Sequence, residues 1–184
     1  MNALIVIPAR YNSERFPGKP LEMIDGVSLI ERVYEKCLQT HAEDVIVATD
    51  DQRIFDHVQG FDGNVCMTSA SHKNGTERII EAVERLMDAG EEYECVINVQ
   101  GDEPLINPKD INRLIAVFEE DDTDIATLVK RIDDVSSLSN PNVVKAVLTE
   151  FEDGVADALY FSRTSIPYVR DNEDLDLSET PFYK

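Results

Sequence analysis

The chain opens with the apolar run ALIVI at residues 3–7, which passes directly into the loop sequence PARYNSERFPGKPL at residues 8–21. The apolar run predicts a buried strand, and a loop that follows a buried strand usually lies at the protein surface. This loop carries the cations Arg10, Arg15 and Lys19, although the whole chain has a formal net charge of −20. Since positive charge is gathered here against the sign of the whole chain, we expect the loop to bind an anion.

The chemistry of this loop favours a polyphosphate as the anion. Guanidinium and ammonium groups suit phosphate oxygens, which accept several hydrogen bonds at once. Gly18 and the flanking Pro17 and Pro20 restrict the course of the loop, and backbone N–H groups can add further donors. We interpret residues 8–21 as a triphosphate-binding loop, and the alternative is a solvated turn whose cations are incidental.

The composition indicates a folded domain and disfavours several other classes of protein. The 184 residues, of which 42% are hydrophobic, suffice for one domain with a sizeable core. No apolar run approaches the roughly 20 residues of a membrane span, and the acidic charge disfavours nucleic acid as a partner. Cys37, Cys66 and Cys95 lie in apolar segments without metal-ligand spacing, so we expect reduced core thiols and a cytoplasmic protein.

Apolar segments that predict strands alternate with amphipathic segments that predict helices as far as residue 120. The predicted strands cover residues 3–8, 44–49, 64–68 and 94–99. The predicted helices cover residues 27–40, residues 51–59, a segment capped by Thr76 and ended by Gly90, and a segment that begins at Asn107-Pro108. Strands buried on both faces and joined by helices predict a parallel α/β sheet.

The pattern changes after residue 120. Apolar segments at residues 125–129, 143–148 and 158–161 predict strands, and the last two could pair as an antiparallel hairpin. The predicted fold class is therefore α/β, with a mostly parallel sheet flanked by helices and with added antiparallel strands. The acidic composition of residues 171–179 predicts a mobile loop. Because residues 178–184 look like the approach to another element, we expect the domain to continue beyond this chain.

A second candidate site lies in the sequence VINVQGDEP at residues 96–104, where an apolar strand passes into a glycine and two carboxylates. Ligands of open α/β sheets bind beyond the carboxyl ends of the strands, which is where Asp102 is expected to lie. Mg²⁺ keeps several of its waters and needs only one or two protein carboxylates, so Asp102 could hold it against a phosphate. The alternative is that Asp102 only forms the turn.

The third candidate site is the sequence HKNGTER at residues 72–78. Gly75 allows the backbone to approach a flat ligand closely, and Thr76 with the first helical N–H groups offers hydrogen bonds to a base or ribose. The alternative is a capping box with an ion pair at the start of a helix.

Several blocks of this sequence, taken in order, resemble the 3-deoxy-D-manno-octulosonate (Kdo) cytidylyltransferases, also called CMP-Kdo synthetases. The resemblance runs from Leu4 to Lys184, and the spacing of Arg10, Ser13 and Arg15 favours this branch over the related sialate cytidylyltransferases. The blocks that carry it are IPARY (7–11), PGKPL (17–21), VATD (47–50), CMT (66–68), GTER (75–78), NVQGDEP (98–104), NPNVVK (140–145) and ALYFSR (158–163).

The resemblance implies a nucleotidyltransferase fold of Rossmann type and the reaction of CTP with Kdo to give CMP-Kdo and pyrophosphate. It also implies Mg²⁺ as cofactor, a cytoplasmic homodimer and a place in lipopolysaccharide synthesis. On this basis residues 1–184 are expected to form a single nucleotidyltransferase domain that is incomplete at its C-terminus. Residues 1–120 would be its nucleotide-binding part and residues 121–184 its sugar-binding and dimerisation part.

The resemblance also assigns site residues by their place in the shared blocks. The residues implied in catalysis are Arg10, Arg15, Lys19 and Asp102, the first three binding the triphosphate and Asp102 the metal. The other residues implied in nucleotide binding are Pro8, Ala9, Gly75 and Thr76. Gln100 and Arg163 match positions near the sugar.

One departure from the family pattern keeps alternatives open. Members of the family continue beyond the position of Lys184 into a section that supplies a second metal-binding aspartate, further sugar contacts and much of the dimer interface. A module that binds CTP without turnover therefore remains an alternative. A related cytidylyltransferase that acts on sialate or 8-amino-Kdo is another, because the motifs specify the nucleotide side better than the sugar side.

Overall fold

A computed structural model describes residues 1–12, 16–120, 123–168, 170, 177 and 181–184. The chain divides into two compact units, residues 1–126 and residues 127–184, and each is described by itself. Among the described residues, no helix is long and apolar enough to cross a membrane. The assignment of residues 1–120 to nucleotide binding and of residues 121–184 to sugar binding and dimerisation stays a prediction.

The first unit alternates strands and helices in the predicted manner. In chain order its elements are β1 (Ala3–Ala9), a 3₁₀ turn (Lys19–Leu21), β2 (Met23–Ile24), β3 (Val27–Ser28), α1 (Leu29–Cys37), β4 (Asp44–Thr49), α2 (Gln52–Gly60), β5 (Val65–Met67), α3 (Gly75–Asp88), β6 (Cys95–Asn98) and α4 (Pro108–Glu120).

The core of this unit is a parallel four-stranded sheet in the order β5-β4-β1-β6. Strand β1 lies inside the sheet, and its residues from Ala3 to Ile7 are fully buried. On one face Ile5 and Ile7 belong to a cluster with residues of α1, α2 and α4, whereas on the other Leu4 and Val6 pack with residues of α3. The predicted parallel α/β sheet is therefore confirmed, and helices on both faces explain why the opening run is apolar without alternation.

The predicted helix at residues 27–40 begins later than expected, because residues 27 and 28 belong to a hairpin formed by β2 and β3. Asp25 and Gly26 connect these strands with φ values of 50° and 81°. An Asp-Gly pair is a strong signal for such a two-residue turn. The apolar residues that follow have helical spacing, so the sequence predicted a helix from residue 27 in place of the second strand. Ser28 then caps α1 by accepting a hydrogen bond from the Glu31 N–H at 3.3 Å.

The N-cap of α3 is Asn74 and not Thr76, so the predicted cap was wrong. The Asn74 side-chain oxygen accepts a hydrogen bond from the Glu77 N–H at 2.9 Å, and the Glu77 carboxylate accepts one from the Lys73 N–H at 2.8 Å. This arrangement is a variant of the capping box, because Glu77 accepts from the residue before the N-cap, and such a variant is the alternative that the sequence left open. Thr76 lies exposed within the first turn.

All three cysteines are free, and two of them are buried as predicted. Burial raises the pKa of the Cys37 thiol to about 12 and also raises that of Cys95. Cys66 is a correction, because it lies partly exposed on β5, at one side of the sheet.

The second unit contains α5 (Ser136–Ser139), β7 (Lys145–Leu148) and β8 (Ala158–Ser162). Strands β7 and β8 pair antiparallel as predicted and form a two-stranded sheet of their own. The strand predicted at residues 125–129 was wrong: this segment is irregular, and Ile125 is 88% exposed. Most of the predicted loop at residues 171–179 lies outside the described residues.

Candidate functional site

Two of the predicted site residues meet at the carboxyl edge of the four-stranded sheet. Strands β4 and β5 lie on one side of β1 and β6 lies on the other, so the loops that follow β1 and β6 leave neighbouring strands where the strand order reverses. Open α/β sheets bind ligands at this switch point. There the Lys19 Nζ lies 2.6 Å from the Asp102 Oδ2, and the two side chains are 39% and 51% exposed.

The loop after β1 is closed by a backbone contact. The Gly18 N–H donates a hydrogen bond to the Tyr11 carbonyl oxygen at 2.8 Å. Gly18 has a φ of +76°, and a Cβ at this position would lie 3.0 Å from the Tyr11 ring carbon Cζ. Glycine is therefore required both by the backbone conformation and by the space beneath the ring. Arg15 lies outside the described residues, so its predicted role stays a prediction.

Tyr11 is itself held by residues that follow β4, which the sequence did not single out. The guanidinium carbon of Arg53 lies 3.3 Å from the centre of the Tyr11 ring. The Asp51 carboxylate accepts two hydrogen bonds from Arg53, at 2.7 and 2.8 Å, and these bonds lower the pKa of Asp51. Stacking of a guanidinium on an aromatic ring fixes the plane of both groups, so the start of the loop has a defined position.

A cavity of about 280 Å³ lies beside this loop. The predicted residues Pro8, Ala9, Arg10, Gly75 and Gln100 contribute to its wall. The sequence placed these residues in three separate loops, and the structure brings the three loops together around one space.

Pro8 lies close to the backbone of both of the other loops. A Cβ on Gly75 would lie 3.3 Å from the Pro8 Cγ, and a Cβ on Gly101 would lie 3.2 Å from the Pro8 carbonyl oxygen. From the sequence, Gly75 is expected to lie close to a ligand. In the structure, the group that lies close to Gly75 is the ring of the chain's own Pro8.

Arg78 is a wall residue that the sequence analysis missed, although it belongs to the third motif. It is 3% exposed, and its Nη2 donates a hydrogen bond to the Asp50 carboxylate at 2.8 Å. Its Nη1 donates to the Thr68 Oγ1, and the Thr68 hydroxyl in turn donates to the Thr49 carbonyl oxygen at 3.1 Å. Arg78 therefore ties the first turn of α3 to the ends of β4 and β5.

The segment between β5 and α3 forms another part of the wall and is fixed by Glu81. The Glu81 carboxylate accepts hydrogen bonds from the Ser69 N–H at 2.8 Å and from Arg85 at 2.6 Å, and it also contacts His72. The Ser69 N–H, followed by His72 and Arg85, lowers the pKa of Glu81 to about 2. His72, the first residue of the third sequence motif, thus helps to hold the cavity wall.

Replacement of Glu81 by Gln is expected to lower the free energy of unfolding by about 2 kcal/mol at neutral pH, because charge-assisted hydrogen bonds are lost. The folded pKa of about 2 lies below the ordinary value of 4.5, so the stabilisation is complete above pH 5 and disappears as the pH falls towards 2. Urea unfolding of both proteins between pH 7 and pH 3 measures this difference. Glu84→Gln, at an exposed position of the same helix, is the control, and a difference that does not vary with pH would contradict the assignment.

Asp102 fits a magnesium site that substrate phosphates would complete. Among the described residues, no cluster of three or more His, Cys, Asp or Glu side chains could hold a metal by itself. Mg²⁺ is commonly bound by one or two carboxylates together with phosphate oxygens and water. Asp102 offers a half-exposed carboxylate two residues after Gln100, which lines the cavity. The turn alternative also holds, since the Glu103 N–H donates to the Gln100 carbonyl oxygen at 3.2 Å around Asp102.

The two residues predicted to lie near the sugar belong to different units. Gln100 lines the cavity and donates a hydrogen bond to the Asn98 side-chain oxygen at 3.0 Å. Arg163 follows β8 in the second unit, where its Nη1 donates to the Pro141 carbonyl oxygen at 2.7 Å. A shared role for these two residues stays a prediction.

Lys145 is a further residue that the sequence analysis left without a role. Its side chain is fully buried, and the Nζ donates to the carbonyl oxygens of Asn140 at 2.9 Å, Val143 at 2.8 Å and Arg163 at 2.9 Å. Burial lowers the pKa of this lysine. Lys145 thereby holds the backbone of Arg163 against the loop that precedes β7.

Comparison with known proteins agrees with this architecture. A sequence model of the family described as Cytidylyltransferase matches residues 4–183. A 3-deoxy-manno-octulosonate cytidylyltransferase of Histophilus somni is 48% identical over 93% of this chain and 64% of its own length. The protein of the same name from Fusobacterium nucleatum is 45% identical over 95% of this chain and 69% of its own length. The chain thus spans about two thirds of the length of these relatives.

The solved structures support the same relationship. The structure of CMP:2-keto-3-deoxy-manno-octonic acid synthetase complexed with CTP superposes with a TM-score of 0.86 at 39% identity, covering 100% of this chain and 70% of that one. A cytidylyltransferase from Leptospira borgpetersenii, at 21% identity and a TM-score of 0.54 over 76% of this chain and 57% of its own, shares the fold. The predicted Rossmann-like nucleotidyltransferase fold is therefore confirmed, and this chain belongs to the cytidylyltransferase family, in the group of the 3-deoxy-manno-octulosonate cytidylyltransferases.

Proposed function

We propose that this protein transfers CMP from CTP to 3-deoxy-D-manno-octulosonate, releasing pyrophosphate and supplying CMP-Kdo for lipopolysaccharide synthesis. The observation that carries the proposal is the meeting of Lys19 and Asp102, 2.6 Å apart, at the switch point of the sheet. Arg10 and Gln100, which belong to the same two loops, line the cavity. The names of the relatives and the CTP in the related structure support the choice of substrates.

The cavity is the proposed nucleotide site. Pro8 and Ala9 would lie against the cytosine, and Gly75 with Thr76 would contribute the other side of the nucleotide pocket. Arg10 is exposed at the cavity wall and makes no ion pair with any described residue, so its guanidinium is available to the α-phosphate. Phosphate oxygens suit such a guanidinium because it presents several donors in one plane.

The proposed reaction is an in-line displacement at the α-phosphorus. The anomeric hydroxyl oxygen of the sugar forms the new bond and loses its proton, while the bond to the β-phosphate oxygen breaks and pyrophosphate leaves with the electron pair. Negative charge grows on the leaving group, which Lys19 and Arg15 would stabilise through the β- and γ-phosphates. The contribution proposed for these cations is mainly positioning and charge stabilisation.

Asp102 is the proposed ligand of Mg²⁺. When bound, this ion would neutralise phosphate charge and assist deprotonation of the attacking hydroxyl. Gln100 and Arg163 are proposed to bind the sugar, and Lys145 would fix the backbone of Arg163.

We further place the protein in the cytoplasm and propose a homodimer as its assembly, as the family resemblance implies.

The first test measures pyrophosphate release by this chain with CTP, Mg²⁺ and Kdo, each omitted in turn. The proposal expects release only when all three are present. Release of pyrophosphate without Kdo would overturn the assignment of Kdo as the acceptor. Faster release with sialate or 8-amino-Kdo would show that this other sugar is the acceptor.

A second candidate function is binding of CTP without turnover. It is favoured by one observation: the cavity and the described residues predicted to bind the nucleotide all lie in the first unit, whereas Arg163 lies in the second. CTP binding by calorimetry in a sample that releases no pyrophosphate would establish this candidate. A sample that neither binds CTP nor releases pyrophosphate would contradict both functions.

A further inference from the structure

The ion pair at the switch point joins two residues whose proposed partners have opposite charge. Lys19 is proposed to bind phosphate oxygens, and Asp102 is proposed to bind a divalent cation. In the structure each of them binds the other, with the Lys19 Nζ 2.6 Å from the Asp102 Oδ2. The pair spans 83 positions of the sequence, so it reflects the meeting of the two loops and not local sequence geometry.

Within the described part of the chain, the pair is not joined to any other ion pair. Lys19 and Asp102 form no further ion pair with any residue in the described part of the chain. Arg10 and Glu103, which are also in these loops, make no ion pair with a described residue either. Because no second ion pair with a described residue holds either side chain, the two can separate without breaking another described ion pair.

We propose that Lys19 is an exchangeable counter-ion of Asp102, and that the pair couples nucleotide binding to metal binding. The inference rests on the proposed function and deepens it. When a nucleoside triphosphate enters with a divalent cation, the Lys19 ammonium moves to the phosphate oxygens and the Asp102 carboxylate becomes available to the cation. Without nucleotide, the ammonium group competes with the metal for the carboxylate.

The expected size of this competition follows from the exposure of the pair. The two side chains are 39% and 51% exposed, and an ion pair in such a setting corresponds to at most about fivefold in an equilibrium constant. Repulsion between the ammonium and a bound dication adds to this value. Removal of the Lys19 charge is therefore expected to tighten metal binding at Asp102 by about three- to tenfold.

The experiment is a titration of the nucleotide-free chain with Mg²⁺, followed by the NMR shifts of the backbone amides of Gly101, Asp102 and Glu103. These amides report the metal site itself, which matters because a chain with a net charge of −20 attracts Mg²⁺ elsewhere as well. The Lys19→Gln chain is expected to bind Mg²⁺ about three- to tenfold more tightly than the unmodified chain. The Lys19→Arg chain is expected to bind it no more tightly than the unmodified chain.

Two control variants make the titration specific. Lys36→Gln removes the same charge in the last turn of α1 and is expected to change the affinity by less than about twofold. Asp102→Asn is expected to remove the saturable shift. The proposal is overturned if Lys19→Gln binds Mg²⁺ no more tightly than Lys36→Gln, or if the shift persists in Asp102→Asn.

A second titration, with CTP, measures the coupling and separates the two proposals. Mg²⁺ is expected to tighten CTP binding by the unmodified chain, and Lys19→Gln is expected to weaken CTP binding about tenfold and to reduce this enhancement. An enhancement that is equal in both chains would overturn the proposed coupling. If the unmodified chain does not bind CTP, the proposed function fails, while the nucleotide-free titration still decides whether Lys19 competes for Asp102.

Discussion

Replacement of Asp102 by Asn is expected to lower the rate of pyrophosphate release at least about a hundredfold, a loss of roughly 3 kcal/mol in transition-state stabilisation. The amide retains the shape of the side chain but removes its negative charge. The proposed Mg²⁺ would therefore lose its protein ligand at the point where charge develops on the phosphates. Single-turnover measurements at saturating CTP and Kdo distinguish this loss from weaker substrate binding.

The structure indicates that this substitution leaves the fold intact. Asp102 is half-exposed, and the turn around it is closed by the backbone bond from Glu103 to Gln100. Asp110→Asn is a matched control, because Asp110 lies in α4 and forms an exposed ion pair with Arg113. That control is expected to keep its rate within about twofold. If Asp102→Asn retains more than about a hundredth of the rate, Asp102 is not the metal ligand.

Replacement of Arg78 by Met is expected to lower the free energy of unfolding by about 3 kcal/mol, the largest effect on stability that we predict. Arg78 is 3% exposed, and its guanidinium donates hydrogen bonds to both Asp50 and Thr68. Methionine fills part of the space but leaves the Asp50 carboxylate without its cation. Removing one member of a buried ion pair costs more stability than removing both charges, because the remaining charge is left without a partner.

A double-mutant cycle in chemical denaturant measures this prediction. The double variant Arg78→Met with Asp50→Asn is expected to lose less stability than the two single variants lose together. The reason is that it also removes the Asp50 charge that Arg78→Met leaves without a partner. Arg113→Met is the control, since that arginine is 78% exposed and its ion pair is expected to contribute less than about 1 kcal/mol. Equal losses for Arg78→Met and Arg113→Met would show that burial of the guanidinium has no energetic consequence.

Local sequence was sufficient to predict most elements of the first unit. The run from Ala3 to Ile7 could be assigned because a strand covered on both faces has no polar alternation. The segment at residues 125–129 also consists mostly of apolar and β-branched residues, yet it is irregular, because strand propensity becomes a strand only when a partner supplies the hydrogen bonds. The sequence-based prediction did not include the β2–β3 hairpin, although Asp25-Gly26 is a typical hairpin turn sequence.

Local sequence could not predict how the side chains of the site are paired. Arg10, Lys19 and Asp102 could be recognised from their motifs, because each motif combines a chemical group with the end of a strand. The sequence left Arg78 and Glu81 without a role, although both hold parts of the cavity wall. Their partners come from other elements, and no periodicity of the chain encodes which elements become neighbours.

The sequence by itself determined the strand–helix alternation, the cationic loop after β1 and the carboxylates after β6, because these depend on the chemistry and order of neighbouring residues. Only the tertiary structure decided that β6 lies beside β1, opposite to β4. Hydrogen bonds between strands far apart in the chain set that order, and side-chain patterns within one strand do not specify its neighbour. This order brings Lys19 to Asp102 and thereby creates the candidate site.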